Sequence, residues 1–322
     1  RAQMEQMMHT DTAVLNDYLK AYTDYMPNSE ACQVNIANSI WFRDRDSLAI
    51  NEDFLKTSRN YYDASIFEAP FDAGTRDDIN SWVKKETNGM IQKLLEEAPP
   101  RDAVMYLVNA LSFDGEWRDI YKKNQIHKGT FNAENGEHQS AEFMYFTEAV
   151  YLENTLGRGF LKPYGDGAYA FAAVLPDEGM TMKEFLERLK ENGITDLLEQ
   201  TRNKTVCVRL PKFTVEYNVV LNESLTESGM KDAFDSQKAD FSSMAHSDND
   251  NIYISKVIHK TKIDVDEKGT KAGAVTAVEV SEGSAVQTEE PKEVFLDRPF
   301  FYMIIDTRQN FPLFMGCLMQ LE

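Results

Sequence analysis

The chain has 322 residues, 53 acidic against 34 basic side chains and a net charge of −19. That balance opposes binding to nucleic acid or to an anionic membrane surface. No run of about 20 apolar residues occurs, so no membrane-spanning helix is expected, and Cys32, Cys207 and Cys317 are too few for a disulfide framework and read as small buried apolar groups.

From the N-terminus, Ala13, Val14, Leu15, Tyr18, Leu19 and Tyr22 recur at helical spacing and predict a helix over 11–25, with Asp11 as its N-cap. Residues 34–42 alternate and predict a strand. A second helical pattern covers 77–98 and is interrupted at Asn88-Gly89, a C-cap signal. Strands are predicted at 105–113, 168–175, 205–213, 253–264 and 300–306, several apolar enough to be buried on both faces. Residues 181–199 predict a helix pair broken at Asn192-Gly193. Helices and strands do not alternate as βαβ units, so the fold class is α+β. The length admits two domains, but no Pro/Gly/Ser linker, composition break or repeat divides the chain. One domain over 1–322 is expected.

The most informative stretch runs from Glu267 to Val278. Thr270, Ala272, Ala274, Thr276, Val278 and Val280 are small or β-branched and fall at every second position, which puts all six on one face of an extended strand. The next stretch, 281–291, is rich in Ser, Gly, Glu and Pro and reads as an exposed loop. The segment is thus a strand able to enter a packed sheet, joined to a loop that is not packed.

Enzyme chemistry finds no such pattern. His9, His127, His138, His246 and His259 show no paired metal spacing, and the chain carries no nucleophile elbow, Walker loop or dinucleotide-binding glycine motif. Carboxylate pairs are abundant because acidic residues are abundant, and a solvated face accounts for them. His259 has no nucleophile in its context and is read as a core histidine with polar partners. No catalytic residue, metal or cofactor is assigned.

Glu267-Lys268-Gly269-Thr270 followed by an alanine-rich run resembles the hinge of the serpins, the serine protease inhibitor family. Further stretches fall in the family's order: 79–83 with Thr87, Gly89 and Ile91; 108–117, including Asn109 and Trp117; Leu175-Pro176-Asp177; Leu210-Pro211-Lys212-Phe213; Ala239-Asp240-Phe241-Ser242; His259-Lys260; and Pro312-Leu313-Phe314-Met315-Gly316. The resemblance implies a large central β-sheet with two further sheets, surrounding helices and an exposed reactive-centre loop at about 267–296. Family members begin with a strand and two helices that have no counterpart ahead of 11–25, so the resemblance implies that the sequence starts inside a longer protein.

The function implied is suicide inhibition of a serine protease. The hinge would be Glu267, Lys268, Gly269, Thr270, Lys271, Ala272, Gly273, Ala274, Val275 and Thr276, with Lys271 departing from the family's usual Glu on the outward face. Gly269 serves as a pivot, and Thr270 as the first side chain into the sheet. Asn109 and His259 would form a polar cluster behind the sheet that controls its opening, and Trp117 would pack its upper part. Family spacing puts the scissile bond at Gly283-Ser284. The loop is longer than in typical members, so Glu282, Ala285 and Val286 remain alternatives. Gly, Ala or Val suits a shallow pocket, so an elastase-like or subtilisin-like partner in a covalent complex is expected. No Lys or Arg lies between Lys271 and Lys292, which argues against a trypsin-like target, and no basic stripe points to a heparin-type activator. A secreted or cell-surface monomer is expected. The alternative is a non-inhibitory serpin, a carrier or chaperone-like protein with the same fold.

Overall fold

The computed structural model describes residues 1–44, 47–100, 103–199, 201–248, 251–254, 256–270 and 291–321. In chain order the elements are α1 (Ala2–Met8), α2 (Thr12–Asp24), β1 (Cys32–Arg43), β2 (Leu48–Ile50), α3 (Glu52–Tyr62), β3 (Ser65–Ala69), α4 (Ala73–Glu86) and β4 (Met105–Glu116). Next come β5 (Ile126–Asn132), β6 (His138–Glu153), β7 (Gly157–Pro163), β8 (Tyr169–Pro176), α5 (Met182–Asn192), α6 (Ile194–Glu199), β9 (Thr201–Pro211) and β10 (Phe213–Val220). The last are α7 (Asn222–Glu227), β11 (Ala245–Ser247), β12 (Ile258–Val265), β13 (Gly269–Thr270), β14 (Lys292–Phe295), β15 (Phe300–Asp306) and β16 (Phe311–Leu318). The fold is α+β, as the sequence predicts.

Three sheets form. The first has the order β10-β12-β13-β4-β1-β3; the second runs β14-β9-β6-β7-β8-β15-β16, with β5 paired to β6; the third is β11-β2. The chain gathers into two compact units, 1–26 with 34–112 and 216–262, and 27–33 with 113–215 and 263–322. Each unit is assembled from separated stretches, which is why no linker marks a boundary in the sequence.

In the first unit, Asp11 caps α2 by accepting from the Ala13 amide at 2.7 Å. The helix predicted over 77–98 is corrected at both ends. The Asp72/Thr75 capping box starts α4 at Ala73, and the helix stops at Glu86. The Thr87 hydroxyl donates to the Val83 carbonyl and accepts from the Ile91 amide, while Asn88 and Gly89 turn the chain with φ of 49° and 74°. The Asn80 side chain then holds 94–95 by accepting from both amides and donating to the Leu95 carbonyl. Ile91 and Leu95 so reach the same core as Ile79 and Val83, with Trp41, Phe71 and Val108. Their apolar spacing serves a common core, not a common helix. Trp41 also stacks on Phe67 of the parallel neighbour β3 at 4.1 Å.

In the second unit every residue of β8 and of β15 is buried. These are the continuous apolar runs expected of strands covered on both faces. Met182, Phe185 and Leu189 of α5 pack on Ala172, Val174, Phe301 and Met303, and each fully buried large side chain contributes about 1.5–3 kcal/mol. The three cysteines are free; Cys32 is buried, and Cys207 and Cys317 are half-buried.

Candidate functional site

The candidate site is the base of the loop, where β12 reverses into β13. Asp266 makes the reversal: its Oδ1 accepts from the amides of Lys268 at 2.7 Å and Gly269 at 3.2 Å, and its own amide donates to the Gly269 carbonyl. The chain then runs back along β12, with Thr270 opposite Val265, and against β4, with Gly269 opposite Glu116 and Thr270 opposite Gly115. Both pairings are antiparallel, so β4 and β12 are parallel to one another and β13 occupies the top of the lane between them.

Gly269 and Thr270 are buried. The glycine is needed for close approach: a Cβ there would lie 2.0 Å from the Gly115 carbonyl oxygen. The pivot expected at this position relies on freedom of φ, but Gly269 is not among the positive-φ glycines. Thr270 is 1% exposed, and its hydroxyl is 2.5 Å from the Tyr164 hydroxyl. Burial pushes the Tyr164 phenol well above the usual tyrosine range, so it stays a neutral partner.

Trp117, 1% exposed, stacks on Tyr164 with centroids 4.4 Å apart and planes at 12°. Its indole Nε1 donates to the Asp266 carbonyl at 2.8 Å and its backbone amide to the Lys268 carbonyl at 2.7 Å. The Tyr121 amide donates to the Glu267 carbonyl at 3.0 Å. Three successive carbonyls of the reversal are therefore held from one side.

Glu267 is tethered from the other. Lys212 binds its carboxylate at 2.8 Å and that of Glu142 at 3.0 Å. The Lys212 hydrogen bond holds the Glu267 carboxyl below the usual range. Partial burial pulls the Lys212 ammonium down, but its bonds to Glu267 and Glu142 outweigh that and raise it. Glu267 therefore stabilises the fold fully above its unfolded value near 4.5, and that contribution is lost as the pH falls through the lowered folded value. Lys212 contributes below 10.5 and loses it as the pH rises through its raised value. The tether is intact across the neutral range. Glu267→Gln is expected to lower the thermal midpoint by roughly 1–3 °C at pH 7, the size of a half-exposed pair. The difference from wild type should shrink as the pH falls from 4.5 and vanish only below the lowered folded value; one that persisted there would detach Glu267 from the tether.

Asn109 and His259 are not brought together. Asn109 donates to the Asn38 side chain at 2.8 Å. Both Asn109 and His259 are exposed, so the core setting expected for His259 is not the observed one. Each lies six residues down its strand from the pairing with β13, Asn109 from Gly115 and His259 from Val265. Near the starts of those strands a cavity of about 1050 Å³ opens, lined by Met105, Leu107 and Asn109 and by Lys256, Val257 and Ile258. Lys271, Ala272, Gly273, Ala274, Val275 and Thr276 of the hinge, and Glu282, Gly283, Ser284, Ala285 and Val286 around the scissile bond, lie outside the described residues.

Sequence reasoning misses Lys212, Tyr164, Tyr121 and Asp266. Lys212 sits in the Leu210–Phe213 motif with nothing to mark its charge as a tether, and the Gly165-Asp166-Gly167 run marks a turn after Tyr164 but not the contact of the tyrosine. No group of three or more His, Cys, Asp or Glu able to hold a metal occurs among the described residues, and no described helix is long and apolar enough to cross a membrane.

Residues 1–321 match the family described as Serpin (serine protease inhibitor). An uncharacterized serpin-like protein of Methanosarcina mazei is 30% identical over 315 residues, covering 95% of this chain and 72% of that protein. The crystal structure of the thermophilic serpin tengpin in its native state superposes with a TM-score of 0.92 at 43% identity, covering 99% of this chain and 82% of that one. Its latent state gives a TM-score of 0.87 at 42% identity, covering 100% and 85%. With the family model matching residues 1–321, the chain belongs to the serpin family.

Proposed function

We propose that this serpin is a suicide-substrate inhibitor of an elastase-like or subtilisin-like serine protease. The observation that carries the reading is β13: Gly269 and Thr270 of the loop already lie between β12 and β4, with Thr270 buried. Beyond Thr270 the lane is walled by β12 back to Ile258, seven residues or roughly 23 Å at ~3.3 Å per residue. The next ten residues, 271–280, carry the alternation of small side chains. Strand addition of this kind gains main-chain hydrogen bonds and buries one face, and serpin loop insertion is a general instance of it.

The chemistry up to that point is ordinary proteolysis. The protease serine Oγ bonds to the carbonyl carbon of Gly283, the Gly283-Ser284 bond breaks, and the Ser284 amine leaves with a proton. The protease stays attached as an ester. Entry of residues 270–283 would carry it roughly 46 Å, fourteen residues at strand rise. Distortion of its oxyanion hole by even ~1 Å would slow hydrolysis of that ester by two or more orders of magnitude.

Incubation with pancreatic elastase, neutrophil elastase, subtilisin, a glutamate-specific protease and trypsin tests this on a denaturing gel with intact-mass analysis. The expected result is a covalent adduct with elastase or subtilisin and a released peptide beginning at Ser284. Cutting inside 281–290 with no adduct under any of the five would leave the non-inhibitory reading in its place.

A further inference from the structure

Behind the reversal lies a buried charge pair that the loop's own chemistry does not require. Lys162 on β7 has a side chain 1% exposed, and that of its partner Glu148 on β6 is 6% exposed. The ammonium donates to Glu148 Oε1 at 2.9 Å and to the Asp119 carbonyl at 3.3 Å. Its remaining side is walled by the rings of Tyr121 and Phe146, each 4.5 Å away, and of Trp117 at 5.3 Å. A buried ion pair is a poor source of stability, because desolvation offsets the attraction and an apolar pair of similar volume packs as well or better. What such a pair supplies is direction.

Its direction here is specific. Lys162 touches the segment 117–121 at three points, the Trp117 ring, the Asp119 carbonyl and the Tyr121 ring. The same segment holds the Asp266 and Lys268 carbonyls through Trp117 and the Glu267 carbonyl through Tyr121. The base of the loop thus hangs on five residues that are themselves oriented by one ammonium. Cation–π contacts and N–H···O bonds fix rotation as apolar contacts do not.

We propose that Lys162, held by Glu148, is a positioning residue for the hinge: it orients Trp117 and Tyr121 and so sets how readily the chain beyond Gly269 enters the sheet. The consequence for trapping rests on the inhibitor reading; the effect on the reversal does not.

The test compares the wild-type protein, Lys162→Met and the double variant Glu148→Gln with Lys162→Met. Lys162→Met keeps the stem and removes the charge, leaving a buried carboxylate unpaired. The double variant removes both charges and relieves that penalty. Hydrogen–deuterium exchange is read on peptides covering 116–122, with peptides of β8 as the internal control, beside the thermal midpoint and the ratio of adduct to cut product. In the double variant the midpoint is expected to return to within a few degrees of wild type, while 116–122 still exchanges at least about tenfold faster and adduct gives way to cut product. Recovery of midpoint and protection together would make Lys162 a packing residue and overturn the proposal. Unchanged exchange in Lys162→Met would do the same. If no variant, wild type included, traps a protease, the inhibitor reading fails alone and the exchange still decides the positioning role.

Discussion

Thr270→Arg is expected to abolish the covalent protease adduct while leaving both the fold and cutting of the loop intact. Thr270 is 1% exposed, bonded to a Tyr164 phenol that burial keeps neutral, and opposite Val265 and Gly115. None of these offers a counter-charge to a guanidinium. An unpaired charge in such a place is worth several kcal/mol against the buried state, far more than two residues of β13 gain. The chain escapes by withdrawing β13 from the lane, which disturbs neither core cluster. Loop entry then has to begin with an arginine, and hydrolysis of the acyl-enzyme overtakes it. The measurement is the ratio of adduct to cut product on a denaturing gel, with the thermal midpoint as the check on folding. An adduct of undiminished yield would disprove the insertion argument.

Strands are legible where burial on both faces writes a continuous apolar run. The strand predicted at 300–306 is β15, and that predicted at 168–175 is β8 within one residue. The strand predicted from 253 begins only at Ile258, because Ile252 and Tyr253 line the cavity beside β4 instead of extending the sheet. β6, at 16 residues one of the longest elements, is not legible. Its burial alternates irregularly along its length, so no single period of two covers it. At the site, the small-residue alternation makes Thr270 readable as the first inward side chain. Of the groups around it only Trp117 is marked by the resemblance; Tyr164, which bonds Thr270, and Lys212, which binds Glu267, come from distant stretches and meet it only in the folded chain. The expected Asn109–His259 pairing rests on resemblance alone, and the Asn109 amide donates to Asn38.

The two glycines of the hinge separate close approach from chain flexibility, because they should respond to alanine with opposite sign. At Gly269 a methyl group would stand 2.0 Å from the Gly115 oxygen and 2.9 Å from Glu116 Cα, both backbone atoms of β4 that cannot rotate away. Relief requires residue 269 to leave β4, which breaks its pairing with Glu116 and that of Thr270 with Gly115 and strains the bond to Tyr164. Overpacking of this kind is worth about 1–3 kcal/mol, so Gly269→Ala is expected to shift partitioning from adduct to cut product by roughly 5- to 150-fold. Gly273 is expected from the alternation to face outward on a regular strand. Alanine there gains about 0.5–1 kcal/mol of strand preference, so Gly273→Ala should favour insertion and raise the adduct fraction. Partitioning measured against one protease at fixed concentration reads both variants on one scale. If alanine favoured the adduct at both positions, Gly269 would be merely flexible and its contact with β4 would play no part in loop entry; if it disfavoured the adduct at both, the lane would be tight along its whole length and not only at its mouth.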